Sequence, residues 1–133
     1  MSQVSDADFA RLLEFRDGLR RFLRWSEERA QEVGLTAAQH QLLLAVRGHR
    51  GAPPTIGDVA GHLLLKHHSA VGLVDRAAAL GLVERVADPG DHRVVRLRLT
   101  AEGQARLDGL SAQHLAELER LAPRLRPIWD GLT

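Results

Sequence analysis

Residues that could bind a polyanion are concentrated between positions 62 and 100. This stretch holds six basic residues against four acidic ones and four of the seven histidines, whereas the whole chain has a formal net charge of only +1. Lysine and arginine neutralise the phosphates of nucleic acids, so the local excess predicts contact with a nucleic acid. The alternative is that the arginines solvate an exposed strand edge and deter aggregation.

Other kinds of chemistry find little support in the residue types. The chain has no cysteine, which excludes disulfides, cysteine-bound metal centres and thiol nucleophiles. No Ser-His-Asp spacing, glycine-rich phosphate loop or paired carboxylates stand out, so we expect neither an enzyme nor a cofactor. His62, His67 and His68 follow Asp58 closely, but His67 and His68 are adjacent and point in different directions on a helix. We therefore expect no metal site.

Length and composition set the class of protein. A chain of 133 residues with 44% hydrophobic content fits one domain, residues 1–133. No stretch approaches the roughly 20 apolar residues of a membrane helix, and residues 1–6 lack the layout of a signal peptide. We expect a cytoplasmic protein that does not bind membranes.

Periodicity and capping signals predict the elements that would position the cations. Ser5, Thr36, Thr55 and Thr100 are predicted N-caps, since each precedes an apolar run with helical spacing. Pro123 and Pro127 are predicted to break the last helix and leave a short final turn. The predicted helices cover residues 6–32, 36–48, 55–63, 67–80 and 100–122, and the predicted strands cover 82–86 and 94–99.

This order of elements is typical of a winged helix–turn–helix. A short helix braces a second helix that enters the major groove, and the hairpin that follows reaches an adjacent groove or the phosphates. Arg96 and Arg98 are predicted on the solvent side of the hairpin, with Arg93 at its tip. The predicted fold class is mainly α with a small β-hairpin wing.

Six segments of the sequence match the pattern of a known family. They are Leu35-Thr36-Ala37-Ala38-Gln39, Val59-Ala60-Gly61-His62-Leu63, Ser69-Ala70-Val71-Gly72-Leu73-Val74-Asp75-Arg76, Gly81-Leu82-Val83-Glu84-Arg85, Asp88-Pro89-Gly90-Asp91-His92-Arg93 and Leu97-Arg98-Leu99-Thr100-Ala101-Glu102-Gly103. Through them the sequence resembles the MarR family of bacterial transcription regulators over nearly its whole length. The resemblance implies a homodimer in which the terminal helices of two chains, residues 1–34 and 101–133, interlock around winged helix–turn–helix units formed by residues 35–100. The apolar series of the two terminal helices exceeds what one small winged domain covers, which independently favours a partner.

Candidate DNA contacts on the fourth helix follow from its two faces. His68 and Ser69 are candidates for base edges, while Lys66 and His67 at the helix start can meet a phosphate together with backbone N–H groups. Capping and solvation of the helix are the alternative roles. Gly72 costs stability inside a helix, which a close approach to DNA would justify, or it is a tolerated imperfection. Arg76 has two alternatives: it reaches a phosphate, or it pairs with Asp75 or Glu84.

Candidate wing contacts follow from the resemblance. Asp91 and Arg93 fit the family's wing pair, in which the carboxylate holds the guanidinium and the arginine enters a narrow minor groove. Many relatives have a second arginine where His92 stands, so wing binding is expected to be weaker or sensitive to pH. Arg96 completes the predicted DNA-binding set.

An effector site is a further implication of the resemblance. The family often binds small, frequently aromatic or anionic molecules between the dimer helices and the winged unit. Phe22, Trp25, His40 and Arg47 could line such a crevice. Packing in a dimer core explains Phe22 and Trp25 equally well.

The sequence thus predicts a homodimeric, sequence-specific regulator of transcription that binds double-stranded DNA. The expected operator is a pseudo-palindrome with half-sites roughly 10 bp apart. The expected mechanism is repression by occupying a promoter, with release by a small-molecule effector. The alternative is a winged-helix dimer that has lost DNA binding and serves as a protein-interaction module, which the near-neutral charge, Gly72 and His92 favour.

Overall fold

Five helices and one two-stranded antiparallel sheet make up the computed structural model, which describes residues 3–131. Residues 1, 2, 132 and 133, at the ends of the predicted terminal segments, lie outside the described residues. The predicted fold class, mainly α with a hairpin, is confirmed. The elements are α1 (Asp6–Glu32), α2 (Ala37–Gly48), α3 (Ile56–Leu63), α4 (His67–Ala79), β1 (Val83–Ala87), β2 (Val95–Leu99) and α5 (Ala101–Asp130).

Side-chain caps begin four of the five described helices, as the sequence predicts. Ser5, Thr36 and Thr55 each form a capping box with the residue three positions later. The Thr100 hydroxyl accepts a hydrogen bond from the N–H of Gly103 at the start of α5. The helix starts are therefore fixed by local chemistry, because each cap satisfies a backbone donor that the helix leaves open.

The prediction that α5 ends near Ala122 is wrong. The helix continues through Pro123 and Pro127 to Asp130. Both prolines lie on the exposed side, where water can bind the carbonyls that lack an N–H partner. On the other side Ile128 is buried, and the Trp129 ring meets the edge of Phe15 at a centroid distance of 5.6 Å. Packing against α1 thus outweighs the two missing hydrogen bonds.

The hairpin pairs Val83 with Leu99 and Ala87 with Val95. Strand β1 lies one residue later than predicted, whereas β2 begins one residue later and ends at the predicted Leu99. Residues 88–94 form the projecting loop. Val95, Leu97 and Leu99 alternate with Arg96 and Arg98 on β2, but only Leu97 is fully buried, and Val95 is exposed because it lies beyond the core. The Leu97 N–H donates to the Pro54 carbonyl at 2.7 Å, so the α2–α3 loop is fastened to β2.

The core is aliphatic and lies in the winged part, where α2, α3, α4, the hairpin and the start of α5 meet. Long stretches of α1 and α5 extend away from this core, and α1 contributes only Ala30 to the buried residues. No helix within residues 3–131 is long and apolar enough to cross a membrane. The exposed apolar residues of the two long helices include Phe9, Leu12, Leu13, Leu19, Leu23, Leu115, Leu118 and Trp129.

The junction between α5 and the wing is tight. The Thr100 N–H donates to the Leu82 carbonyl at 3.1 Å, and the Thr100 hydroxyl donates to the Gly81 carbonyl at 2.6 Å. A Cβ atom on Gly103 would stand 2.1 Å from the Leu82 carbonyl oxygen. Only glycine therefore fits at this position, and α5 crosses the start of the hairpin in direct backbone contact.

Candidate nucleic-acid interface

The fourth helix presents a buried face and an exposed polar face, as the sequence predicts. Its inward residues are Ala70, Leu73, Val74 and Ala77. His67, His68 and Ser69 are exposed. The turn before α4 is tight: Leu64 adopts a left-handed conformation with φ of 55°, and the Leu65 N–H donates to the Ala60 carbonyl at 2.9 Å.

The start of α4 differs from the other helix starts of the described chain. Lys66 is its N-cap, and no side chain caps the first turn. The first-turn N–H groups, which belong to His67, His68 and Ser69, therefore remain open to an external acceptor. Such open N–H groups next to a cation attract anions.

The cations on α4 have no intramolecular partner among residues 3–131. No hydrogen bond or ion pair engages the side chains of Lys66, His67, His68 or Arg76. The predicted alternative in which Arg76 pairs with Asp75 or Glu84 is wrong, because each acid has another partner. Asp75 binds Arg85 at 2.5 Å and Glu84 binds Arg98 at 2.6 Å.

Gly72 makes room for Arg76. A Cβ atom at position 72 would lie 3.3 Å from Nη1 of Arg76, so the guanidinium lies close beside the glycine. The sequence offered close approach to DNA or a tolerated imperfection as reasons for this glycine. Accommodation of the neighbouring arginine is a third reason, which only the structure reveals.

Asp91 holds Arg93 at the tip of the wing. One Asp91 carboxylate oxygen accepts from the Arg93 backbone N–H and Nε, both at 3.0 Å, and the other accepts from Nη2 at 3.1 Å. The hydrogen bond from the Arg93 side chain lowers the pKa of Asp91, and the same contact raises the pKa of Arg93. The Arg93 side chain is still 91% exposed. Its charge is therefore oriented without being covered, and His92 beside it is also exposed.

The placement of Arg96 departs from the prediction of a solvent-facing cation. Its side chain is only 23% exposed and contacts Asp88 and the Pro53 carbonyl. Arg98, two residues further on, is 63% exposed and pairs with Glu84. Asp88 was missed by sequence reasoning, which treated it only as part of a turn.

Three of the four predicted effector residues meet around a histidine that the sequence analysis missed. The His114 ring lies 4.8 Å from Trp25, 4.8 Å from His40 and 5.9 Å from Phe22, measured between ring centroids. The fourth, Arg47, lies on the exposed surface and donates to Gln104 at 3.1 Å. His114 follows Leu110 by four residues, and this helical spacing from an apolar position was the available signal.

Hydrogen bonds fix the His114 ring. Its Nδ1 lies 2.7 Å from the Leu110 carbonyl, an acceptor, so Nδ1 donates. Its Nε2 lies 2.6 Å from the Ser26 hydroxyl, which then donates to it. Burial lowers the pKa of His40, and the neighbouring His114 lowers it further. Burial therefore favours the neutral form of His40.

A cavity of about 680 Å³ adjoins this cluster between α1 and α5. Phe22 and Trp25 line one end, and Leu121, Leu125 and Ile128 line part of the α5 side. Three arginines (Arg21, Arg120 and Arg124) and three acids (Glu14, Asp17 and Glu117) also line it, so its formal charges balance. The cavity suits an apolar group that carries a polar end.

Residues 33–94, from the end of α1 to the wing loop, match the family model described as MarR family. The chain belongs to the MarR family. The matched segment contains α2, α3, α4, the first strand and the wing loop. The MarR resemblance predicted from the sequence is thus confirmed.

Two curated relatives are regulators of the helix–turn–helix type. The chain is 46% identical over 50 residues to "Uncharacterized HTH-type transcriptional regulator YsmB" of Bacillus subtilis (strain 168), a match that covers 38% of this chain and 34% of that protein. It is 32% identical over 94 residues to "HTH-type transcriptional repressor NicR" of Pseudomonas putida KT2440, covering 69% of this chain and 58% of that protein. The chain thus spans about a third of the first relative and less than two thirds of the second.

A solved structure extends the likeness to the long helices. The crystal structure of CouR from Rhodococcus jostii RHA1, bound to p-coumaroyl-CoA, is 26% identical with a TM-score of 0.71. The alignment covers 99% of this chain and 93% of that chain. The winged part and both terminal helices therefore share the arrangement of CouR.

Proposed function

We propose that this protein binds double-stranded DNA in a sequence-specific manner and represses transcription. The observation that carries the proposal is the start of α4, an uncapped helix N-terminus at which the Lys66 side chain has no intramolecular partner within residues 3–131. In a winged helix–turn–helix this helix enters the major groove. Names of the curated relatives, which include a transcriptional repressor, support the same function.

The roles of the α4 residues follow from their positions. Lys66, His67 and the open N–H groups bind a phosphate, and Arg76 reaches a second phosphate further along the helix. His68 and Ser69 face base edges, where a hydroxyl or imidazole donates to or accepts from a base. Gly72 has no side chain beside Arg76, so the helix backbone can lie closer to DNA there.

The wing contributes a second contact. Asp91 presents Arg93 to a minor groove, whose negative potential is strongest where the groove is narrow. His92 adds positive charge only when it is protonated. The full set of residues proposed to face DNA is Lys66, His67, His68, Ser69, Gly72, Arg76, Asp91, His92 and Arg93.

The proposed assembly is a homodimer held by residues 1–34 and 101–133, with residues 35–100 as the winged unit. The exposed apolar side chains on α1 and α5 support it, because patches of this kind mark interaction sites. Two α4 helices related by a two-fold axis would bind a pseudo-palindromic operator with half-sites about 10 bp apart.

Release by a small molecule is proposed at the cluster of Phe22, Trp25, His40 and His114. The aromatic walls and the adjoining cavity suit a ligand with an apolar or aromatic part. CouR is bound to p-coumaroyl-CoA in its crystal structure, which supports a ligand with an aromatic part here.

Binding of the purified protein to fluorescent duplexes that tile the DNA around its own gene tests this function. The measurement is made at two salt concentrations with non-specific competitor DNA. We expect a complex on one tile that resists competitor and weakens steeply with salt, because phosphate contacts release counterions. Absence of any complex even at low salt would overturn the proposal and favour a protein-interaction module.

A further inference from the structure

Asp88 and Arg96 form a largely buried ion pair at the base of the wing. Their side chains are 20% and 23% exposed, compared with 63% and 46% for Arg98 and Glu84 on the same hairpin. Arg96 Nε donates to Asp88 Oδ1 at 2.6 Å. An arginine that is turned inward in this way does not offer its charge to DNA as an exposed cation does.

The two residues connect the wing loop to a distant part of the chain. Arg96 Nη1 donates to the Pro53 carbonyl at 2.8 Å, in the loop between α2 and α3. The other Asp88 oxygen, Oδ2, accepts from the backbone N–H groups of Gly90 at 3.0 Å and Asp91 at 2.9 Å. One continuous path of hydrogen bonds therefore runs from Pro53 through Arg96 and Asp88 to the backbone of Asp91.

This path ends at the residue that orients Arg93. Because the Asp91 N–H is held by Asp88, the Asp91 carboxylate starts from a fixed backbone when it binds the Arg93 guanidinium. The loop between Asp88 and Val94 is also closed by a backbone hydrogen bond from the Asp88 N–H to the Val94 carbonyl at 2.9 Å. The position of the wing tip thus depends on contacts made outside the tip.

We propose that Arg96 and Asp88 are positioning residues, which anchor the wing to the α2–α3 loop and so fix the direction in which Arg93 points. Arg96 acts through Asp88 and does not itself contact DNA. This inference rests on the proposed function for its effect on binding, but the anchoring itself is a property of the free protein. It replaces the DNA-contact role that the sequence predicts for Arg96.

Arginine is suited to this task, whereas lysine is not. The planar guanidinium donates from Nε to Asp88 and from Nη1 to Pro53 at the same time, a fork that a single ammonium group does not reproduce. R96K therefore preserves the charge on β2 but loses the bridge. A phosphate contact, in contrast, would tolerate lysine.

Hydrogen exchange in the absence of DNA tests the anchor directly. Amide exchange at Gly90 and Asp91 is measured by NMR in the wild-type protein, R96A, R96K and the matched control R98A, after a thermal melt has shown that each variant folds. We expect R96A and R96K to raise both exchange rates by about fivefold or more, since those amides lose their fixed acceptor. R98A is expected to leave them within about twofold. Unchanged rates in R96A would overturn the proposal.

A double-mutant cycle on the operator tests the consequence for binding. We expect R96A to weaken binding about tenfold in the wild-type background and less than about twofold in the R93A background, because the anchor acts through Arg93. Additive losses, with R96K close to wild type and a salt slope reduced by about one, would identify a phosphate contact and overturn the proposal.

The two measurements separate the two proposals. If the wild-type protein binds no duplex, the proposed DNA-binding function fails, and the exchange rates alone decide whether Arg96 anchors the wing. If the protein binds DNA but exchange is unaffected by R96A, the anchor fails and the DNA-binding function stands.

Discussion

Helix α4 and the hairpin carry their basic residues in two different ways. On α4 the cationic side chains Lys66 and Arg76 make no ion pair within the described chain, and the helix start is uncapped. On the hairpin every arginine has an acidic partner: Arg85 with Asp75, Arg93 with Asp91, Arg96 with Asp88 and Arg98 with Glu84. The basic side chains of α4 are thus unpaired within residues 3–131, whereas those of the hairpin are held by acidic partners.

This difference has a physical cause in what each element contacts. A helix in a groove is aligned by its own rigid backbone, so its cations need only be near phosphates. A hairpin loop has no such rigidity, and ordering a long side chain at the moment of binding costs conformational entropy. Ion pairs within the wing order these side chains before DNA binds, so less conformational entropy is lost on binding. We therefore expect DNA affinity to depend mainly on the net charge of the side chains at α4, and mainly on the orientation of Arg93 at the wing.

The largest effect is expected from R93A. Removing the side chain that is held at the wing tip should weaken operator binding by about 10- to 100-fold, equivalent to roughly 1–3 kcal/mol. D91N should produce a smaller loss, because it leaves the charge of Arg93 but weakens the contact that orients it. Fluorescence anisotropy on the operator duplex measures both, with R98A as the matched control on the same hairpin. Equal affinity of R93A and wild type would contradict the geometric role of the wing.

The next effect comes from converting the open helix start into a capped one. In K66S, serine at the N-cap can accept a hydrogen bond from the first turn, which should raise the free energy of unfolding by about 0.5–1 kcal/mol. The same change removes a cation and occupies an open N–H group, so DNA affinity should fall several-fold and the salt slope by about one. Chemical denaturation and salt-dependent titration measure the two effects. A variant with wild-type binding and an unchanged salt slope would show that this helix start does not bind phosphate.

A smaller effect is expected from G72A. Alanine is favoured over glycine inside a helix by about 0.5–1 kcal/mol, so the fold should gain stability of that order. The new methyl group meets the flexible end of Arg76, which can move aside. DNA affinity should therefore change by no more than about threefold, less than for K66S. A loss as large as that of R93A would instead indicate that the backbone at Gly72 approaches DNA closely.

The smallest expected effect is a dependence of stability on pH. It defines the pH range in which the protein stays folded, so that binding by α4 and by the wing can be compared there. Because the folded state lowers the pKa of His40 below the usual 6.5, the unfolded chain takes up a proton first as the pH falls. Stability is therefore complete above about pH 6.5 and declines as the pH falls from there to the lowered pKa of the folded state. Thermal melts between pH 5 and 8 should show this decline, and H40Q should flatten it. An unchanged slope in H40Q would assign the decline to another group.

The wing ion pairs are expected to persist over the same pH range. The pKa of Asp88 is lowered first by its hydrogen bond from Arg96, and that of Asp91 by its hydrogen bond from Arg93. A carboxylate with a lowered pKa contributes stability above its unfolded value and loses it only as the pH falls through the folded value. Both values lie below the usual 3.8, so acidification to pH 5 leaves the wing intact.

Much of the fold could be predicted because its signals are local. The capping residues Ser5, Thr36 and Thr55 each lie three positions from their partners, so the sequence contains both halves of each contact. The continuation of α5 through Pro123 could not be predicted in this way. It depends on packing against α1, which lies at the other end of the chain.

In the candidate site, too, local contacts could be predicted from the sequence and long-range contacts could not. The Asp91–Arg93 pair spans two residues and was predicted from the wing motif. The partners of Arg96 include Pro53, 43 residues away, and His114 meets Ser26 across 88 residues. Contacts at such separations are decided by the tertiary fold, and the type of a single residue does not specify them.

Because α5 contacts the start of the hairpin so closely at Gly103, a tilt of this helix would also move the wing. The helix has 30 residues, so it extends about 45 Å from a base that is fastened by backbone contact to the first strand of the wing. A tilt of about 5° about its far end would move that base, and the wing with it, by about 4 Å on this length. His114 and its ring contacts lie partway along the same helix. A small displacement of the helix at that point would therefore be larger at its base, and under the proposed function it would shift the winged part relative to DNA.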